Sequence, residues 1–259
     1  MSFTDKVVIV TGASSGIGAA TAIKFAEEGA IVILVARNQA KLKEVAAKCQ
    51  EHGAKFITVI ADVTKNEDVK KIVANTIAQF GKIDVLVNNA GIAGKAAIWD
   101  ANAMEVFDKV MSTNLRSVVY LTNLAAPHLI KAKGNIINIS SIAAVDVISP
   151  EYFAYCTSKA GMDHFMRSIA LDLSSKGVRV NNVNPGPVKT DIIQSLGVEK
   201  SDAGSFWKKM ESMTPLGRVS DPAEIGDLVL FLASDKARAI TGSAYITDNG
   251  SLLKRNIAI

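Results

Sequence analysis

Metal-ligating side chains are scarce in this chain: its two cysteines, Cys49 and Cys156, and its three histidines, His52, His128 and His164, are scattered, with no His/Cys/Asp cluster at ligand spacing. A metal site is therefore not expected, and free thiols in a reducing, cytoplasmic compartment are. Nothing resembling a signal peptide precedes the first strand-like run, Val7 to Val10. No apolar stretch approaches the ~20 residues of a spanning helix, so no membrane anchor is expected. Lys and Arg exceed Asp and Glu by only 29 to 25, without any run of like charge, which excludes nucleic acid as the natural partner. One small basic cluster, Arg37, Lys41 and Lys43, suits a single small anion. Aromatics make up 6% of residues, prolines number six and low-complexity tracts are missing, whereas 49% of the 259 residues are hydrophobic. That balance describes a well-cored domain.

The apolar residues alternate between two patterns. Short β-branched runs at 6–11, 31–36, 55–60, 83–88, 134–140, 178–184 and 243–248 read as strands. Between them, segments of helical period lie at 16–28, 39–51, 66–80, 104–131, 155–175 and 221–233. Gly29, Gly53, Gly81, Gly134 and Gly177 fall just past five of these helices, where glycine is the expected C-cap. Strand and helix in strict alternation predict a single α/β domain over 1–259, a doubly wound Rossmann fold with a seven-stranded parallel sheet and helices on both faces. Ligands of such sheets bind at the carboxyl ends of the strands, near the switch point. Only 191–217 fits neither pattern, and it is expected to be a substrate lid.

The first strand runs into Thr11-Gly12-Ala13-Ser14-Ser15-Gly16-Ile17-Gly18 and then directly into an Ala-rich helix. Gly12 permits a tight turn, Gly16 a close approach to pyrophosphate, and Gly18 close packing of helix on sheet; the helix N-terminus adds N–H donors and positive potential. Three residues separate the first two glycines, not the single residue of the common dinucleotide fingerprint. Thr-Gly-x-x-x-Gly-x-Gly in this setting resembles the short-chain dehydrogenase/reductase family. Most NAD sites of this kind carry an acid at the end of the second strand for the ribose 2′-hydroxyl. Here Ala36 and Arg37 stand in that place. A guanidinium attracts a 2′-phosphate that a carboxylate would repel, so NADP(H) is the expected cofactor.

A second signature is Tyr155-Cys156-Thr157-Ser158-Lys159. The i, i+4 spacing puts Tyr155 and Lys159 on one helix face, where an ammonium can depress a phenol whose ordinary pKa is about 10. Residues alone also allow an exposed packing pair. By resemblance, Tyr155 is the acid/base, Lys159 tunes it and binds the nicotinamide ribose, and Ser141 is the catalytic serine. Ser141 stands fourteen residues before Tyr155, one more than in some relatives, which leaves Ser140 as the alternative. Asn114 matches the family's fourth catalytic position, where the backbone holds a water linking the lysine to solvent; from sequence alone a capping role is equally open.

Further pieces match at the ends of later strands: Asp62-Val63, Asn88-Asn89-Ala90-Gly91 and Asn184 to Thr190. The resemblance places Asp62 and Val63 beside the adenine, Asn89 against its ribose, the Val188 backbone at the carboxamide and Thr190 near the nicotinamide. Ser14, Ser15 and Ile17 complete the expected phosphate loop. Asp248-Asn249-Gly250 departs from the glycine pair that many relatives carry. The resemblance spans Lys6 to Gly250, and similar sequences serve as acyl-thioester, steroid, retinoid and xenobiotic carbonyl reductases. The expected activity is hydride transfer between NADP(H) and a carbonyl or secondary alcohol. Ile92, Ala93, Val147, Pro187, Ile192, Phe206, Trp207 and Met210 are candidates to line an apolar pocket for a lipophilic substrate. The rivals are an NAD-preferring alcohol dehydrogenase of the same fold and a non-catalytic NADP(H)-binding protein. A homo-oligomer, dimer or tetramer, is expected from the resemblance.

Overall fold

The computed structural model describes residues 2–196 and 202–254. Seven parallel strands form one sheet: β1 (Val7–Thr11), β2 (Ile31–Ala36), β3 (Phe56–Ile60), β4 (Val85–Asn88), β5 (Asn135–Ile139), β6 (Arg179–Pro185) and β7 (Ala244–Thr247). Their spatial order is β3-β2-β1-β4-β5-β6-β7, and every neighbouring pair is parallel. The chain winds outward from β1 to β3, then returns to lay β4 against the other side of β1. This reversal between β1 and β4 is the switch point, and it opens a crevice at the carboxyl ends of the strands.

Strand periodicity explains the two cores. Val8 and Val10 of β1 point to one face, with Val32, Leu34 and Val87. They pack beneath α1 (Gly16–Glu27), α2 (Gln39–Glu51) and α8 (Pro222–Ala233), which contribute Phe25, Leu42 and Val229. Val7 and Ile9 point to the other face, with Ile33, Leu86 and Ile136. That face is covered by α3 (Asn66–Phe80), α5 (Ser117–Ala132) and α6 (Phe153–Ser174) through Ile72, Leu129 and Met166. Because both faces are buried, the strands read as continuous apolar runs.

Local chemistry fixes several helix ends. Asn38 accepts from the Lys41 N–H at the start of α2. Asp221 and Glu224 form a reciprocal capping box ahead of α8. Gly81 caps α3 in the left-handed region, φ 72°. At Gly134 the expected cap fails: Lys133 takes the left-handed conformation, φ 49°, instead. Gly134 is required for a different reason, since a Cβ there would overlap the Asp84 carbonyl oxygen and press on Leu129.

The expected helix over 104–131 is corrected more substantially. It divides into α4 (Ala103–Met111), a π-helical turn at Ser112–Arg116, and α5. One inserted residue in the turn carries Asn114 into the interior, a local cost recovered by the bonds Asn114 makes there. The segment 191–217 holds a 3-10 turn at Asp191–Leu196 and α7 (Ala203–Ser212), on which no residue is buried; part of the expected lid, 197–201, lies outside the described residues. A final short helix, α9 (Ser251–Lys254), begins where Asp248 accepts from the Gly250 and Leu252 N–H groups. Asn249 sits there at φ 53°, a left-handed conformation that asparagine tolerates.

Candidate active site

The phosphate loop lies at the switch point. Gly12 turns at φ 66° and Gly16 at φ 54°. A Cβ on Gly18 would overlap the Gly12 carbonyl oxygen and Asn89 Nδ2, so α1 can press against the turn only without a side chain there. Ser15 precedes α1 in extended conformation, its side chain makes no capping bond, and no acidic residue occupies the first turn. Donors of a helix N-terminus left this way are suited to an anion, and the site fits the pyrophosphate of a dinucleotide. Ser14 and Ile17 flank the turn, both half-buried. The Asn89 side chain, expected at the adenosine ribose, serves the loop in this structure: its Nδ2 donates to the carbonyls of Thr11 and Gly12 at 2.9 and 3.3 Å. Thr190 packs so closely on Gly16 that a Cβ there would meet its methyl at 2.9 Å. Val188 is buried beside it and bridges to Ser220.

At the adenosine end, Arg37 is exposed directly after buried Ala36. Asp62 lies half-buried nearby, with Val63 beside it. Burial would push the Asp62 carboxyl up, but the Thr64 N–H and hydroxyl and the Arg37 charge hold it below its ordinary range. Lys41 does not point to open solvent with Arg37; its ammonium pairs with Asp191 at 2.5 Å, tying α2 to the start of the 191–217 segment. Lys43 is exposed.

The four expected catalytic side chains come together at the ends of β4 and β5. Tyr155 is 9% exposed and Lys159 4%. Burial raises the Tyr155 phenol above its ordinary value, and a hydrogen bond with the Ser141 hydroxyl opposes that rise. Ser141 also accepts from the Ala143 N–H. Ser140 points elsewhere, toward the Lys159 carbonyl at 3.4 Å. Of the two serines, only Ser141 reaches the phenol. The Lys159 ammonium donates to the Ile139 carbonyl at 2.8 Å and lies 5.7 Å from the centre of the Tyr155 ring. Burial pushes it down to about 8, against the pull of Asp163. Asn114 is fully buried: its Oδ1 accepts from the Ile92 N–H, and its Nδ2 donates to the Ile92 carbonyl and to Ser158 Oγ. Both Asn114 and Lys159 face Gly91.

Among the residues sequence reasoning passed over, Ser158 joins Asn114 to the Tyr155 carbonyl, to which its hydroxyl donates at 2.7 Å. Asp163, Asn182 and Asn184 form a buried polar group behind Lys159. A signal was present: Asp163 continues the 155, 159 spacing by one further turn, and Asn182 and Asn184 alternate onto one face of β6. The apolar candidates differ in their exposure. Ala93 packs with Tyr155 and Ala143, whereas Val147 and Ile192 are exposed, and Phe206 and Trp207 stack edge-to-face on α7.

A doubly wound sheet with an anion-ready glycine loop at its switch point defines a dinucleotide-binding α/β protein. Comparison with known proteins narrows this. The family described as enoyl-(acyl carrier protein) reductase matches residues 12–251. L-fucose dehydrogenase of Bos taurus is 35% identical, covering 97% of this chain and 91% of that protein. The 3-oxoacyl-acyl-carrier-protein reductase FabG of Thermotoga maritima is 34% identical, covering 98% and 100%. A short-chain dehydrogenase/reductase of Caenorhabditis elegans, of unknown function and solved with cofactor, superposes with a TM-score of 0.92 at 37% identity, covering 97% of this chain and 96% of that one. The chain belongs to the short-chain dehydrogenase/reductase family, oxidoreductases that act on alcohol and carbonyl groups with a nicotinamide cofactor.

Proposed function

We propose that the chain is an NADP(H)-dependent oxidoreductase that interconverts a carbonyl and a secondary alcohol, with Tyr155 as acid/base. The cofactor choice is carried by one observation: β2 ends in Ala36, with exposed Arg37 following where an acid would favour NAD. Gly12, Ser14, Ser15, Gly16, Ile17 and Gly18 would hold the pyrophosphate, with the Asn89 side chain bracing that loop, Arg37 the 2′-phosphate, and Asp62, Val63 and the Asn89 backbone the adenosine side. Val188, Thr190, Tyr155 and Lys159 would hold the nicotinamide side. The bound nicotinamide supplies or accepts the hydride. The phenol of Tyr155 delivers a proton to the substrate oxygen in reduction and withdraws it in oxidation, while the neighbouring Ser141 hydroxyl, which favours the phenolate, orients the same oxygen. Lys159 sets a positive charge beside the phenolate that results. Asn114, gripped by Ile92 and Ser158, holds the helix backbone beside Lys159 for proton exchange with solvent.

Exposed Val145, Val147 and Ile192, with the aromatic pair on α7, favour a lipophilic ketone. The segment 191–217 is read as the lid over it. The likeness to L-fucose dehydrogenases favours a second reading, oxidation of a hydroxyl group of a sugar. Exposed Val119 on α5 and Leu171 on α6 support a homo-oligomer through the long helices, in a soluble, cytoplasmic setting.

The test is steady-state kinetics with NADPH and NADH across aliphatic ketones, acyl thioesters, steroids and fucose. A charge-assisted hydrogen bond is worth ~1.5–3 kcal/mol, and tenfold in affinity corresponds to about 1.4 kcal/mol. Arg37→Ala should therefore weaken NADPH roughly ten- to a hundredfold and leave NADH nearly unchanged; adding Ala36→Asp should invert the preference. Equal weakening of both cofactors, or a parent enzyme preferring NADH, overturns the NADP(H) reading.

A further inference from the structure

Lys159 is a buried cation, and the structure sets a buried anion one helical turn beyond it. Asp163 is 5% exposed, and each of its carboxylate oxygens accepts an amide N–H: Oδ1 from Asn182 and Oδ2 from Asn184, both at 2.7 Å. Asn182 is itself the end of a row. Asn88, Asn138 and Asn182 are in-register partners on β4, β5 and β6. Asn88 Nδ2 donates to Asn138 Oδ1 at 2.9 Å, and Asn138 Nδ2 donates to Asn182 Oδ1 at 2.8 Å. All three asparagines are at most 2% exposed. Every amide in this row donates in the same sense, toward Asp163, so the bonds polarise one another and end on a charge.

We propose that Asp163 is a positioning residue of the active site: its carboxylate is the buried counter-charge of the Lys159 ammonium, and the asparagine row across the sheet holds it in place. The inference rests on the Tyr155–Lys159 reading above. Its physical basis is that an isolated buried charge is expensive, and a neighbouring opposite charge with satisfied hydrogen bonds recovers much of the cost. Asp163 pulls Lys159 upward while burial pushes it down to about 8. Among the described residues, no other anion on the elements packed against α6 takes this role. Of the elements packed on α6, α4 carries Glu105, Asp108 and Lys109, all exposed, and the π-helical turn carries exposed Arg116, bonded to Asn66. On β6, Arg179 directs its guanidinium to the Ser234 and Ile240 carbonyls. On α6 itself, His164 and Arg167 are exposed and Asp172 lies further along the helix; Tyr155 and Cys156 complete the ionisable groups near Lys159.

The sign follows directly. The ammonium is lost as pH rises through about 8, so carbonyl reduction should decline on that alkaline limb. Removing the Asp163 charge lowers the value further. Asp163→Asn should move the limb of kcat/KM to lower pH by roughly one unit, and weaken NADPH binding at pH 7 about twofold as the charged fraction falls. Binding measured by NADPH fluorescence against pH should show the same displacement. Asn184→Ala, which withdraws one donor and keeps the carboxylate, should move the limb the same way by less. A merely structural role predicts lower Tm and lower kcat with the limb unmoved. A folded Asp163→Asn enzyme with an unshifted limb overturns the proposal; if that variant does not fold, an unshifted limb in Asn184→Ala overturns it. Lys159→Met separates the underlying reading: near-normal turnover in that variant removes the role of Lys159, whereas its loss alongside unshifted limbs removes only that of Asp163.

Discussion

Gly18→Ala should dismantle the cofactor loop although it removes no polar atom. The added methyl has nowhere to go: it would overlap the carbonyl oxygen of Gly12 on one side and Asn89 Nδ2 on the other. Neither neighbour yields cheaply. Gly12 is a backbone atom in a turn held at φ 66°, and the Asn89 amide clasps the Thr11 and Gly12 carbonyls. Forcing a methylene-sized group into a packed site costs about 1–3 kcal/mol. Displacing Asn89 forfeits two hydrogen bonds at about 1 kcal/mol each. A loss near 3 kcal/mol corresponds to a Tm lowered by about 6–12 °C in a domain of this size. The second readout is ligand linkage: NADPH at a hundred times its Kd should raise the stability of the parent enzyme by ~2.7 kcal/mol, and much of that increment should vanish in the variant because the displaced turn no longer fits the pyrophosphate. Gly204→Ala is the contrast. Nothing lies within 4 Å of a Cβ at that position in α7, so alanine should stabilise by about 0.4–1 kcal/mol. Thermal unfolding with and without NADPH decides; a Gly18→Ala protein with parental Tm and parental NADPH stabilisation refutes the reasoning.

Tyr155→Phe removes only the hydroxyl, and should reduce turnover by ~10²–10⁴-fold while NADPH binding by fluorescence stays close to normal; a near-normal rate would assign the proton to another group. The segment 191–217 should exchange its amide hydrogens far faster than β1 or β4 in the free enzyme, because α7 has no buried residue. Protection equal to that of the central strands would remove the lid assignment.

How much of this was legible in the sequence depended on whether the determinant was local. The bounds 39–51 and 66–80 are reproduced without error, since Asn38 and Gly81 mark them within the chain. All seven strands stand where the β-branched runs place them, with no end shifted by more than two residues. The π-helical turn was not legible: one inserted residue hardly disturbs the apolar period of 104–131, and what stabilises it is the grip of Asn114 on Ile92, twenty-two positions away. Gly134 shows the same limit, because the obstacle to a side chain is the Asp84 carbonyl on a neighbouring strand. At the site, the i, i+4 spacing puts Tyr155 and Lys159 on one face, but spacing leaves an exposed packing pair open, and it takes the fold to show both side chains buried. The choice of Ser141 over Ser140 needs the direction in which each hydroxyl points, and the asparagine row needs the strand register.

The expected chemistry placed an ammonium beside a phenol in order to lower it, yet burial acts on both partners in the opposite sense. Tyr155 is held above its ordinary value and Lys159 is pushed down to about 8, so each group alone is driven toward its neutral form. A phenolate and an ammonium formed side by side suffer less from the same burial than either does singly, because each supplies the other's counter-charge. Tyr155 and Lys159 should then titrate as a unit whose apparent values belong to the pair. In such a unit the surrounding polar groups decide which protonation state prevails. The Ser141 hydroxyl favours the phenolate and Asp163 favours the ammonium, and each arrives from a different element, the loop after β5 and the middle of α6. The sheet edge thus does more than present reactive groups to a crevice: it brings one stabiliser to each member of a charge pair that the interior would otherwise extinguish.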